Sequence, residues 1–252
     1  MRVLIIAGTG EAAALAEACA GERGLETISS LAGRTAAPRA VPGELRVGGF
    51  GGAAGLEAFL RARAVDRLID ASHPFAAQIS RHAAAACRAA GVPRLRLLRP
   101  PWRPVAGDRW LEVASLAAAA RLLPEIGRRA FLTVGQKELD AFTGIPQVWF
   151  LIRTIEPPAR LPSASSVWLG GRGPFALENE LALLREHAIE VLVTKASGGE
   201  ATCAKLAAAR ALGLPVLMVR RPEPPPGPLV QRVAEALAWL DEAQPCLAGR
   251  ST

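Results

Sequence analysis

Two Rossmann-like α/β lobes, each built on a mostly parallel sheet, are expected from three observations. Short apolar runs alternate with Ala-rich stretches of helical length, the pattern of strands covered by helices on both faces. Several of these runs end directly in glycine-bearing turns that open the next helix. Between residues 99 and 110 the series is interrupted by "RPPWRPVAGDRW", whose prolines and glycine suit a linker better than a strand or helix. The lobes are therefore drawn as 1–106 and 107–242, with 243–252 as a tail.

In chain order, the apolar run Val3–Ala7 reads as a strand near 2–7 and the Ala-rich stretch after it as a helix near 11–20. Strands near 25–30, 66–70 and 94–98 and helices near 53–64 and 75–90 follow, with Pro74 suited to a first helical position. In the second lobe, strands near 130–134, 147–153, 166–170, 190–194 and 215–219 are expected. The helices between and around them fall near 115–123, 136–142, 175–187, 201–212 and 228–241. The lobes share a local echo: Arg2 precedes Gly8 by the same interval as Arg129 precedes Gly135. Residues 222–228, "PEPPPGP", read as a stiff connection to the last helix.

The totals narrow the class of function. With 252 residues, half of them hydrophobic, each lobe can bury its own core. No apolar run approaches the roughly 18 to 20 residues of a membrane span, and the run after Met1-Arg2 is too short for a signal-peptide core, so a cytoplasmic protein without a membrane partner is expected. Cys19, Cys87, Cys203 and Cys246 are far apart and form no CxxC or Cys/His pair, which argues against zinc, leaves no metal site to expect, and argues against a disulfide framework. The formal charge of +7 comes without a dense basic run or interleaved aromatics. An anionic small molecule is preferred to nucleic acid on that pattern. Only three of the 30 basic residues are lysines, and Lys137 and Lys195 stand beside glycines at strand ends, where a compact ammonium fits better than a guanidinium fork. A monomer or small homo-oligomer is expected.

"GTGEAA" at 8–13 follows the first strand and matches GxGxxA at Gly8, Gly10 and Ala13. Missing side chains there let backbone amides approach a pyrophosphate at a helix start; a tight strand-to-helix turn is the plainer alternative. Where an NAD site usually carries an acid, at the end of the second strand, this chain reads "SSLAGR" (29–34). Ser29, Ser30 and Arg34 suit a 2′-phosphate, so NADP is preferred to NAD, and an S-adenosylmethionine site is disfavoured. "GGFGG" (48–52) suits either a mobile connection or a loop whose Gly49, Phe50 and Gly51 meet a flat ligand. "DASHPFA" (70–76) puts Asp70, Ser72 and His73 at the carboxyl edge of the sheet, where ligands bind in open α/β folds. Ser72 or His73 can alternatively cap the helix that follows. His82 and His187 fall within helices and are read as structural or solvent-facing.

In the second lobe "GQKE" (135–138), "GRGPF" (171–175) and "KASGGE" (195–200) each follow a strand and open a helix. Gly198 and Gly199 would expose amides, Ser197 a hydroxyl and Lys195 a charge, a set suited to phosphate or carboxylate. No GxSxG, HExxH, paired catalytic carboxylates or Walker A sequence occurs, and with no Tyr in the chain a Tyr-x-x-x-Lys acid is excluded.

Taken in order, "IIAGTGEA" (5–12), "SLAGR" (30–34), "GGFGG" (48–52), "IDASHPFA" (69–76), "RPPW" (99–102), "GQKE" (135–138), "GPF" (173–175), Glu178, "KASGG" (195–199), "AKLAAAR" (204–210) and "RRP" (220–222) resemble the precorrin-6A reductase family of cobalamin biosynthesis. Ala7 departs from that pattern, where another glycine is often found. The resemblance implies two Rossmann-like domains with a cleft between them and an NADPH-dependent reduction of one macrocycle double bond, converting precorrin-6A to precorrin-6B. The substrate it implies is a flat tetrapyrrole fringed with carboxylates, metal-free or, in the other branch, carrying cobalt. On position, Gly8, Thr9, Gly10 and Glu11 are assigned to the cofactor's phosphate and ribose region, and Ser30 and Arg34 to its 2′-phosphate. Lys137, Ser197, Gly198 and Gly199 are assigned to the cofactor from the second lobe; Gly49, Phe50, Gly51, Ser72, Arg99 and Arg172 to the substrate. His73 and Lys195 are candidate proton donors, with Asp70 expected to orient His73. A non-catalytic NADP-binding sensor built on the same fold remains the alternative.

Overall fold

The computed structural model describes residues 1–33 and 40–242. In chain order its regular elements are β1 (Arg2–Ile6), α1 (Gly10–Ala20), β2 (Glu26–Leu31), β3 (Glu44–Val47), α2 (Gly52–Ala62), β4 (Arg67–Asp70), α3 (Ala77–Ala90) and β5 (Arg94–Leu97). There follow β6 (Arg109–Val113), α4 (Leu116–Ile126), β7 (Arg129–Thr133), a 3-10 helix (Gln136–Phe142), β8 (Trp149–Thr154) and β9 (Ser166–Gly170). The chain closes with α5 (Leu177–Glu186), β10 (Val191–Lys195), a 3-10 turn (Glu200–Thr202), α6 (Ala204–Ala211), β11 (Pro215–Val219), β12 (Leu229–Val230) and α7 (Val233–Asp241).

Two compact units result: Met1–Pro100 together with the segment from Pro222, and Pro101–Arg221. The first holds a parallel sheet in the order β12-β5-β4-β1-β2-β3. This is the doubly wound Rossmann order, with its switch point between β1 and β4. Strand alternation divides the core between the two faces. Val3, Ile5, Ile69, Leu95 and Leu97 pack with Leu15, Ala16 and Cys19 of α1 and with Ala236 and Leu240 of α7. Leu4, Ile6, Ile28 and Leu68 face the other way, against Leu56 and Leu60 of α2 and Ala83 and Cys87 of α3. Burial on both faces explains why β1 reads as an unbroken apolar run.

The second unit holds a parallel sheet in the order β6-β11-β10-β7-β8-β9, with its switch point between β7 and β10. Phe131, Leu151, Leu192, Val216 and Met218 form one face with Leu184 of α5 and Leu206, Ala208 and Ala209 of α6. The opposite side of β10 and β11 is covered by α4, whose Ala119, Ala120 and Leu123 are buried.

The second lobe does not run to residue 242 as expected. From Pro222 the chain rejoins the first unit, where Leu229 and Val230 pair with Arg96 and Leu97. The helix expected near 228–241 is shortened to α7 because its first residues complete a sheet. Leu240 is fully buried there, a contribution of about 1.5 to 3 kcal/mol. Three strands escaped the sequence reading: β3, β6 and β12. Each lies at a sheet edge, where half-solvated positions carry no continuous apolar signal. The expected linker 99–110 accordingly ends inside β6. The tail 243–252 lies outside the described residues. Among the described residues no helix is long and apolar enough to cross a membrane.

Candidate functional site

The first unit's switch point is built from the turns after β1 and β4. Gly8 adopts φ +135°, a backbone state closed to most side chains, and among the described residues nothing stands within 4 Å of where a Cβ would be on either Gly8 or Gly10. Thr9 caps α1 by accepting the Ala12 amide at 3.1 Å, and its hydroxyl donates to the Ala71 carbonyl at 2.9 Å. One side chain thus joins the two turns. Among the described residues no acceptor meets the Gly10 and Glu11 amides, so two donors of the helix start face an open glycine turn. The Glu11 carboxylate is paired with Arg99 at 3.1 Å, which brings together residues expected to serve cofactor and substrate separately.

After β4 the arrangement departs from expectation. Asp70 does not orient His73. Asp70 is fully buried; its Oδ1 accepts from Arg96 Nη1 at 2.5 Å and from the Ser72 amide at 3.1 Å, while Oδ2 has no hydrogen-bond partner among the described residues. Arg96 also donates to the Asp70 carbonyl at 2.9 Å, to Ser72 Oγ at 3.0 Å and to the Ser72 carbonyl at 3.1 Å. With Thr9 on the Ala71 carbonyl, three successive carbonyls of this turn are held by side chains from elsewhere in the unit. Burial pushes the Arg96 guanidinium below its usual pKa, and the charge of Asp70 opposes that shift. Ser72, expected at the substrate, is buried and bonded within this network, with Ser80 Oγ 3.4 Å from its hydroxyl.

His73 is half-buried, and its Nδ1 accepts the Phe75 amide at 3.2 Å. In the neutral imidazole that bond places the ring proton on Nε2. The "GGFGG" loop is organised by Arg46, whose guanidinium donates to the Gly48 and Gly49 carbonyls at 2.6 and 2.7 Å. The same guanidinium lies 3.9 Å from the centroid of Phe50, whose ring meets Phe59 edge-on at 5.2 Å. The ring expected to lie under a flat ligand therefore has one face covered by Arg46 from β3. Gly51 takes the left-handed conformation that opens α2. Ser30 is 3% exposed at the end of β2, and Arg34 lies outside the described residues.

In the second unit the turns after β7 and β10 meet through one ion pair. Lys195, 9% exposed, places Nζ 2.8 and 2.6 Å from the two carboxylate oxygens of Glu138. The Gly135 amide donates to the same carboxylate, so Glu138 answers both donors at this edge. The Ser197 hydroxyl and amide turn back to the Lys195 carbonyl, at 3.2 and 2.6 Å. Gly198 and Gly199 have positive φ, and the Gly199 carbonyl accepts the Trp102 indole N–H at 2.8 Å. Lys137 and Arg172 are exposed.

Arg46, Arg96 and Glu138 were missed in the sequence. Arg96 left a signal: in β5 arginines alternate with leucines, a cation on a buried strand needs a buried countercharge, and the register places Arg96 opposite Asp70. Glu138 stood within the quoted "GQKE".

Comparisons with known proteins agree with this architecture. The family described as "Precorrin-6x reductase CbiJ/CobK" matches residues 2–241. A precorrin-6A reductase from Rhodococcus erythropolis is 55% identical, covering 95% of this chain and 97% of that protein. One from Rhodobacter capsulatus is 44% identical over 95% of each chain. A solved structure titled "CobK precorrin-6A reductase" superposes with a TM-score of 0.91 at 42% identity, covering 99% of both chains. On the match along nearly its whole length, the chain belongs to the precorrin-6x reductase CbiJ/CobK family.

Proposed function

We propose that the protein catalyses the NADPH-dependent reduction of precorrin-6A to precorrin-6B in the cytoplasm, on the metal-free macrocycle. The observation that carries this reading is the first unit's switch point. An open glycine turn and two amides without acceptors stand there at the start of an eleven-residue helix, in a sheet of Rossmann order. Relatives named for the precorrin-6A reaction, at 55% and 44% identity, support the substrate.

The residues fit a dinucleotide. Gly8 and Gly10 leave the space a pyrophosphate needs, the Gly10 and Glu11 amides would donate to its oxygens, and Thr9 fixes the turn by capping the helix without consuming those amides. When bound, NADPH supplies the hydride. The chain's main contribution is orientation: near-attack positioning is worth about 7 to 11 kcal/mol, against the factor of roughly 100 to 10,000 typical of a placed acid. Two groups are assigned to protonating the reduced ring: Lys195 from Nζ, and His73 from Nε2 when the ring is the imidazolium, the neutral imidazole donating only a hydrogen bond there. Asp70 acts on the His73 turn through Ser72 and Arg96. In the second unit Lys195, Ser197, Gly198 and Gly199, with the exposed Lys137 and Arg172, are assigned to anionic groups of the ligands, the substrate's carboxylates first among them.

The test is anaerobic NADPH oxidation by the purified protein with precorrin-6A and its cobalt form in parallel, and NADH as comparator. Turnover of precorrin-6A with NADPH is expected. Turnover of the cobalt form alone would move the protein to the other branch. Cofactor binding without turnover of either macrocycle would sink the assignment.

A further inference from the structure

We propose that Arg46 is the residue that recognises the 2′-phosphate of NADPH and so sets the preference over NADH; this rests on the dinucleotide site proposed for the first unit. At the end of β2, where an acid would select NAD, the chain has Ser30, and parallel pairing sets Arg46 of β3 directly beside it. Neighbours in register on parallel strands share one face of the sheet. Ser30 itself is buried, and Arg46 Nη1 lies 3.4 Å from its hydroxyl, so the half-buried guanidinium covers the serine. The group that a phosphate approaching this edge meets is the arginine.

Its remaining donors suit that ligand. A guanidinium has five N–H groups in a planar fork. Bonds to Ser30 Oγ and the Gly48 carbonyl use both hydrogens of Nη1, and the Gly49 carbonyl uses one on Nη2. Among the described residues no acceptor takes Nε–H or the second Nη2 hydrogen. The group is also held still, because both loop carbonyls and the Phe50 ring at 3.9 Å fix its plane. Glu44, two residues away on β3, is paired with Arg63 and does not neutralise it. A fixed cation with two donors that no described residue takes up, beside the strand end assigned to the adenosine ribose, is built for a dianion.

The test is binding of NADPH, NADH, 2′,5′-ADP and 5′-AMP to the full chain by titration calorimetry, for the parent protein, Arg46→Met and Arg46→Lys. Met keeps the apolar stem and removes charge and donors; Lys keeps the charge and loses the fork. The expected result is a loss of about 10- to 100-fold in NADPH and 2′,5′-ADP affinity for Arg46→Met, with NADH and 5′-AMP changed less than about threefold. Arg46→Lys is expected between the two, and it carries the test should Arg46→Met fail to fold. Equal losses for the phosphorylated and unphosphorylated ligands overturn the proposal and make Arg46 a loop brace. A parent protein that prefers NADPH while both variants keep that preference overturns Arg46 alone. A parent protein that binds NADH as well as NADPH removes the underlying NADPH reading as well.

Discussion

Replacing Arg96 by Met should be among the most damaging single changes in the first unit. The guanidinium is 3% exposed and makes four hydrogen bonds to Asp70 and Ser72, and the Asp70 carboxylate it faces is fully buried. Without Arg96 the carboxylate keeps, among the described residues, only the Ser72 amide. Removing one partner of a buried ion pair costs about 3 to 5 kcal/mol, because the remaining charge is stranded in a medium that solvates it poorly. Met restores most of the volume, so little of that loss is cavity. The double variant Asp70→Asn with Arg96→Met should recover at least about 1 kcal/mol over Arg96→Met alone, since no charge is left stranded. Urea unfolding followed by circular dichroism gives the totals, and native hydrogen exchange by mass spectrometry localises them. Peptides covering β4 and β5 should lose protection while those covering β7 and β10 keep it. A cost below about 1 kcal/mol for Arg96→Met, or a double variant as unstable as the two single changes combined, would refute the reasoning.

Three other perturbations can be judged in the same way. Gly8→Ala forces a side chain onto φ +135°, where the surrounding space is open and the cost is conformational; about 1 to 3 kcal/mol of stability should be lost together with NADPH affinity, read by unfolding and by cofactor titration. Glu138→Gln removes the countercharge of Lys195 while keeping the shape of the side chain, and should change turnover or the KM for the macrocycle without altering NADPH affinity; unchanged kinetics would return the pair to a structural role. Burial pushes the Cys19 thiol up to about 11 and the Cys87 thiol up to about 12, so alkylation mapped by mass spectrometry should modify the exposed Cys203 well before either. Because the folded protein holds these two protons more tightly than the unfolded chain, stability is intact below the ordinary thiol range and falls as pH rises toward 11 and 12; the melting temperature should show that decline, and less of it in Cys87→Ala.

The doubly wound folds were legible because their central strands are buried on both faces and leave short apolar runs such as Val3–Ile6 and Val191–Val193. Three of the four edge strands were not: Glu44–Val47, for one, carries two opposite charges, an exposed leucine and an exposed valine, with no apolar run of its own. The return of the chain to the first unit was hidden for a related reason: β12 is two residues long and acquires its meaning only by pairing with β5. At the site, the glycine turn and strand ends could be read from spacing, because backbone geometry there is local. Partnerships could not. Asp70 is next but two to His73 in sequence, yet its charge is answered by Arg96, 26 residues away, and Ser30 is covered by an arginine from the neighbouring strand. Which cation meets which carboxylate is decided by sheet register and the cost of leaving either unpaired.

The division of the first unit into two separated stretches also sets an order of assembly during synthesis. The second unit, Pro101–Arg221, is contiguous and has all of its strands once residue 221 has left the ribosome. The first unit, although translated first, must wait: until Leu229–Val230 and α7 emerge, β5 is an open edge and the apolar faces of Leu15 and Cys19 lack Ala236 and Leu240. A nascent chain halted at residue 221 therefore carries one finished unit and one aggregation-prone sheet, and the glycine turn formed by the first residues made is among the last regions to be locked in place.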